Sequence, residues 1–347
     1  MKALPTVLLA SVCSVIMFCA TEVPARPLEI VFADMEGGAG ILIVTPDGES
    51  VLIDCGSRCP DERDARRIAA AARALGLKAI DHLIITHYHS DHWGGTLQLS
   101  RLIPIRRFYD HGPMEDLPED KRYASYLADY EEASKGVRTT MRAGDRLPLT
   151  GKSDPPVEIR CVAARAMVGA EPAPPCTVHP PFPEDKSDNA RSIALILEHG
   201  PFRLFLGADI TKNVEHDLVC PVNRIGVVDL FQVNHHGLRQ SNNPLLCRAI
   251  DPTVAITLNG RRKGAHPEVV AALKSAPSLK AVYQLHKNAV NPEVNPPGDF
   301  IANSEPESSG TPVRVTCDLD GKRFAVRCGL DDEPAWYPIR PDKPGTE

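Results

Sequence analysis

Aromatic residues are scarce in this chain, at 5% of 347 positions, and no Cys-x-x-Cys pair occurs. The first shortage excludes a core built on stacked rings and points to Leu, Ile, Val and Ala packing. The second removes the usual spacing of a cysteine-based zinc module. No run of 18 or more apolar residues follows residue 20, so no transmembrane helix is expected in the mature chain. Excess positive charge is missing too. Lys+Arg number 39 against 45 Asp+Glu, a net charge of −6, which disfavours a dedicated nucleic-acid binder while allowing a local basic groove. No short-period repeat is found. At 43% hydrophobic and 24% charged residues, the chain is too apolar for disorder and long enough for one large domain or two ordinary ones.

The N-terminus carries Lys2, an apolar stretch from Ala3 to Ala20, and Val23-Pro24-Ala25. Small residues three and one positions before Arg26 predict a signal peptide over 1–25, cut after Ala25, and hence an exported protein, periplasmic or secreted. A retained N-terminal anchor is the alternative. The cut leaves Cys55, Cys59, Cys161, Cys176, Cys220, Cys247, Cys317 and Cys328. An even set in an exported chain favours disulfides, although eight cysteines allow 105 pairings. Cys317 and Cys328 flank Asp320-Gly321 and are expected to face each other across a hairpin. Cys55 and Cys59 are close enough in sequence to pair.

Short apolar runs predict strands over 28–33, 41–45, 50–54, 79–86 and 105–109, and helices over 60–75, 93–102 and 118–135. Residues 166–190 hold six prolines and read as a long surface loop beside a site. A hairpin over 192–206 follows, then strands 227–233, 253–258 and 280–285 alternating with helices 243–250 and 267–274. A C-terminal hairpin spans 313–327, and the Pro-rich tail of 331–347 is expected to be loose. Hairpins in both halves, with helices interleaved, predict sheets covered by helices rather than one parallel sheet.

The chemistry-bearing segment is Thr86-His87-Tyr88-His89-Ser90-Asp91-His92, at the end of the apolar run Leu83-Ile84-Ile85. Alternate side chains of an extended segment share a side, so His87 and His89 can hold one cation, with Asp91 and His92 beside a second. Imidazole and carboxylate suit zinc, iron or manganese. Two more apolar runs end in ligand types: Leu204-Phe205-Leu206 leads to Asp209, and Leu230-Phe231-Gln232-Val233 leads to His235. We therefore expect His87, His89 and Asp209 on one metal. Asp91, His92, His235 and the bridging Asp209 are expected on the other. Asp54 is expected to brace the metal loop by hydrogen bonds. His82, His199, His216 and His286 are expected to be structural or solvated.

These motifs resemble the metallo-β-lactamase superfamily, and within it the hydrolase domain of ComEC-type DNA-uptake proteins, over residues 28–290. His-x-His-x-Asp-His falls on His87, His89, Asp91 and His92. Leu-Ile-Asp-x-Gly falls on Leu52 to Gly56, and Asp209 takes the bridging position. His-His-Gly matches His235 to Gly237, Asn-x-x-Ser matches Asn189 to Ser192, and Gly-x-His-Pro matches Gly264 to Pro267. The chain departs at Asp34-Met35-Glu36-Gly37-Gly38-Ala39, where the subgroup has Asp-Val-Gly-Gln-Gly-Asp. It also departs at Asn189, where many members have a third histidine. The first metal then has fewer protein ligands, or borrows His111 or His179.

The resemblance implies an α+β fold, a four-layer αββα sandwich over 26–330, binding two divalent metal ions, Zn2+ first and Mn2+ or Fe2+ as alternatives. It implies hydrolysis by a metal-bound hydroxide. Asp91, His236 and His266 are the expected catalytic residues, and His111 and Asn189 the expected substrate contacts. Arg261-Arg262-Lys263, before His266, would form a cationic rim suited to phosphate. The expected substrate is a small-molecule phosphoester or a phosphodiester. A β-lactamase or lactonase, or a binding protein with a retained metal site, are the alternatives. Oligomeric state is left open.

Overall fold

The computed structural model describes residues 26–169, 176–307, 310–329 and 333–341. The expected signal peptide, with Cys13 and Cys19, lies outside the described residues. Within them no helix is long and apolar enough to cross a membrane.

The first half of the chain builds β1 (Glu29–Phe32), β2 (Ile41–Val44), β3 (Ser50–Ile53), α1 (Arg63–Ala74), β4 (Ile80–Ile84), α2 (Ser90–Trp93), α3 (Thr96–Leu102), β5 (Ile105–Asp110), α4 (Tyr123–Ser134) and β6 (Thr139–Thr140). The second builds β7 (Val157–Ala164), β8 (Met167–Val168), β9 (Ala194–His199), β10 (Phe202–Leu206), α5 (Lys212–Val219), β11 (Leu230–Gln232), α6 (Pro244–Ile250), β12 (Val254–Thr257), α7 (Pro267–Leu273), β13 (Ala281–His286) and β14 (Ile301–Asn303). The chain then returns to the first sheet with β15 (Val313–Cys317), β16 (Arg323–Cys328) and β17 (Ala335–Pro338). The strand orders are β17-β16-β15-β1-β2-β3-β4-β5-β6 and β14-β13-β12-β11-β10-β9-β7-β8. Each sheet joins an antiparallel part to a parallel one, β3 to β6 in the first and β10 to β14 in the second.

The period-two side-chain alternation of a strand explains why the runs read as uniformly apolar: both faces are buried. Ile30 and Phe32 face Leu204, Leu206 and Ile256 between the sheets. Val31, Leu52 and Leu83 face Ala65, Ile68 and Ala72 of α1. On the other outer face, Phe205 and Phe231 meet Val214, Leu246 and Val269 from the second set of helices. Three apolar seams between four layers give the αββα sandwich. Each fully buried Leu or Ile contributes roughly 1.5–3 kcal/mol.

Several expectations need correction. The helix expected over 93–102 is two short helices, α2 and α3, split at Gly94-Gly95, where Gly95 N–H donates to Gly56 O at 3.0 Å. The loop expected over 166–190 begins with β8 and ends in a 3-10 turn, Asp188–Arg191. The tail expected to be loose contributes β17, which adds to β16. The C-terminal hairpin does close around Asp320-Gly321, but symmetric pairing sets Cys317 opposite Phe324 and Cys328 opposite Val313. The two cysteines therefore sit at opposite ends of the hairpin. Cys55 and Cys59 are unbonded. The disulfide among the described residues joins Cys176 to Cys220, tying the Pro-rich segment to the end of α5.

Candidate metal centre

The carboxyl ends of the parallel strands of both sheets open onto one edge, where open α/β sheets place their ligands. β3 delivers Asp54, β4 the His87–His92 segment, β10 Asp209, and β11 the Asn234–Gly237 turn. Asp54, Ala208, His235 and His236 all have positive φ, between 50° and 59°. Such backbone costs non-glycine residues about 1–3 kcal/mol each and gathers at functional sites. Gly207 has no such choice: a Cβ there would lie 2.1 Å from Asn234 Oδ1.

Asp209 Oδ2 stands at the centre, 3.3 Å from His92 Nε2, 3.4 Å from His236 Nε2, 3.6 Å from His235 Nε2 and 3.9 Å from His87 Nε2. Asp91 Oδ2 lies 3.3 Å from His236 Nε2 and 3.8 Å from His92 Nε2. His89 brings Nδ1 to 3.1 Å from His87 Nε2. Two trios, His87-His92-Asp209 and Asp91-His92-His236, each keep their ligand atoms within 4.8 Å of one another. One imidazole nitrogen binds one ion, so two ions would divide these residues with Asp209 between them.

Outer partners set the tautomers. Asp54 accepts from Thr86 N at 2.8 Å and from the Thr86 hydroxyl at 2.8 Å, and lies 2.7 Å from His92 Nδ1. A carboxylate only accepts, so His92 Nδ1 carries a proton. Leu258 O, 3.0 Å from His236 Nδ1, requires a proton there as well. The Thr86 hydroxyl has given its hydrogen to Asp54, so it accepts from His87 Nδ1 at 3.1 Å. The three Nε2 lone pairs then point at Asp209, itself an acceptor. Acceptors facing acceptors repel until positive charge enters. Imidazole and carboxylate donors held this way fit zinc, iron or manganese.

Electrostatics agree. Burial opposes ionisation of Asp209, yet His92, His236 and His235 hold its carboxyl well below the usual carboxylate range. Burial likewise disfavours a charged His92, but Asp209, Asp54 and Asp91 outweigh it and hold His92 well above the imidazole range. A proton on His92 thus competes with a metal for the same place. His235, by contrast, is lowered to about 4, chiefly by burial.

The remaining expected residues lie around this cluster. His235 faces Asp209 and, through Nδ1, Ser241 Oγ at 3.3 Å; it is His236 whose Nε2 joins the Asp91 trio. His111 is fully buried and pairs through Nε2 with Asp188 at 3.2 Å. Asp188 accepts from Tyr88 N at 2.7 Å and so braces the metal loop. His179 is exposed, and its carbonyl lies 3.4 Å from His216 Nε2; neither His111 nor His179 joins a trio. Asn189 Oδ1 is buried and meets no donor among the described residues. His266 caps α7, its Nδ1 accepting from Glu268 N at 3.3 Å.

Two residues escaped the sequence reading. Asp188 immediately precedes the Asn189-x-x-Ser192 motif, which is a usable signal. Glu215, buried on α5, accepts from Asn234 Nδ2, Asn242 N and both nitrogens of Asn243 and so holds the His235–His236 turn; a single Glu in a short polar helix carries no such signal.

A family model described as the metallo-beta-lactamase superfamily matches residues 36–181. Atrochrysone carboxyl ACP thioesterase dmxR1 of Cryptosporiopsis sp. (strain 8999) is 35% identical over 78 residues, 22% of this chain and 23% of that relative's own length. Similar solved structures include Igni18, a metallo hydrolase from the hyperthermophilic archaeon Ignicoccus hospitalis KIN4/I, at 16% identity over 73% of this chain and 93% of that one, TM-score 0.40. CmlA, a diiron β-hydroxylase from Streptomyces venezuelae, is 13% identical over 75% of this chain and 53% of its own, TM-score 0.42. Over residues 36–181, the stretch that carries the His87–His92 segment, the chain is thus similar to the metallo-β-lactamase superfamily.

Proposed function

We propose that the protein is an exported metal-dependent hydrolase of the ComEC-like branch, acting on a phosphoester or phosphodiester. The observation that carries the metal reading is the convergence of three Nε2 lone pairs and two carboxylates on one buried point. Export rests on the N-terminal sequence pattern. The phosphate preference rests on the Arg261–Lys263 run, whose Lys263 reaches Asp91, and on the His235-His236-Gly237 and Gly264-to-Pro267 segments. A net charge of −6 favours a small substrate over a long nucleic acid.

Divalent ions in this donor set supply Lewis acidity towards a substrate oxygen and lower the pKa of water. The chain's own work is orientation. Asp54 and Leu258 O fix His92 and His236, and Asp188 fixes the backbone at Tyr88. His89, Asp91 and His235 complete the ligand shell. With Nδ1 engaged by Glu268 N–H, neutral His266 keeps its proton on Nε2, ready for a leaving oxygen. Asn189, with its unmet carbonyl oxygen, suits a substrate hydroxyl or water.

A second reading, a thioesterase or lactonase, draws on the thioesterase match. A metal-reconstituted panel separates them: bis-p-nitrophenyl phosphate, p-nitrophenyl phosphate, single-stranded DNA, nitrocefin, a lactone and an acyl thioester. Turnover of the phosphoesters is expected. Turnover of the thioester or lactone alone would overturn the phosphate assignment.

A further inference from the structure

Lys263 stands in a different relation to the site from its neighbours Arg261 and Arg262, which are exposed. It ends the Gly260–Lys263 turn, which closes from Gly260 N–H to Lys263 O at 3.0 Å. Its ammonium donates to Gly37 O at 2.8 Å and to Asp91 Oδ2. The position of Gly37 O is set by backbone packing: Gly37 has φ +100°, and a Cβ there would lie 3.2 Å from Gly260 Cα. Two loops from different sheets thus meet backbone to backbone and aim the ammonium. The oxygen it grips is the one that faces His236 Nε2 and His92 Nε2. Ammonium and metal therefore claim one ligand atom, and two positive charges so close repel.

We propose that Lys263 is a tethered rival for the second metal position, one that weakens and makes exchangeable the ion held by Asp91 and His236. This inference rests on the metal reading above. Filling the second position requires the ammonium to leave Asp91 Oδ2, and the side chain, 38% exposed, has solvent to move into. Apparent affinity falls by the fraction of molecules whose Asp91 is released. The first position, at His87, His92 and Asp209, shares no atom with Lys263.

The test is titration of chelator-treated full-length protein with Zn2+ by calorimetry, with bound zinc counted after equilibrium dialysis. Wild type should load in two steps. Lys263→Met should tighten the second step by at least about tenfold, since a minor open state is populated at roughly 10% or less, and leave the first unchanged. Lys263→Arg, which keeps the charge, should behave like wild type. Lys263→Gln provides a second neutral variant should the Met variant melt early in EDTA. A second step unchanged or weakened in the neutral variants would overturn the proposal and make Lys263 a prop for Asp91. Wild type that binds no zinc, or a first step indifferent to Asp209→Asn, would instead sink the metal reading and this inference with it.

Discussion

β4 and the segment that follows it carry buried histidines with opposite fates. Within the strand His82 lies 2.9 Å from Glu49 through Nε2 and 3.2 Å from the Tyr109 hydroxyl through Nδ1. Both nitrogens have partners, and nothing remains for a ligand. Beyond the carboxyl end, His87 and His92 spend Nδ1 on Thr86 and Asp54 and turn Nε2 towards Asp209. Burial and residue type are the same; what differs is whether the second nitrogen finds a donor or an acceptor. A closed pair is scaffold, and converging lone pairs are chemistry. The buried His286–Asp34 contact at 2.6 Å belongs with the first kind.

The largest break in that comparison is Asp209→Asn, which removes the shared charge. Metal content should collapse and turnover fall by more than about 100-fold, beyond the range seen for outer-shell changes; elemental analysis and the substrate panel read both. Next comes acid. The folded chain holds His235 near 4, below the unfolded imidazole at about 6.5. Its contribution is therefore full above pH 6.5 and is lost as pH falls through 4. That loss is up to about 3 kcal/mol, and His235→Asn should flatten it in denaturant melts run with EDTA.

Asp54→Ala should keep the fold but cut metal affinity by about 10–100-fold, because His92 loses the partner that orients it. The smallest effect is expected at the closed pair. His82→Gln should lower stability by about 1 kcal/mol and leave metal content at the wild-type level. Loss of metal from the His82 variant would erase the distinction between the strand's own histidine and those beyond its carboxyl end.

How much of this was legible follows from what each signal depends on. The inner strands could be read because a strand buried on both faces is a continuous apolar run, as in Leu83-Ile84-Ile85 or Leu204-Phe205-Leu206. β7 went unnamed, although it spans Val157–Ala164, because Glu158 and Arg160 interrupt the run. α5 has only Val214, Leu218 and Val219 to mark an apolar face. The ligand segment was legible as a contiguous motif. The division between His235 and His236 was not: both have positive φ, and which ring faces Asp91 depends on that backbone turn. Nor could spacing reveal the Cys176–Cys220 bond, which joins segments 44 residues apart.

The central claim is that lone pairs facing Asp209 exist to hold metal. Anomalous scattering from crystals of the metal-loaded protein, recorded at the metal edge, tests it most directly. A peak bounded by His87, His92 and Asp209 is the predicted result. A protein that takes up metal but shows its peak elsewhere, with those three groups touching only one another, would contradict the account.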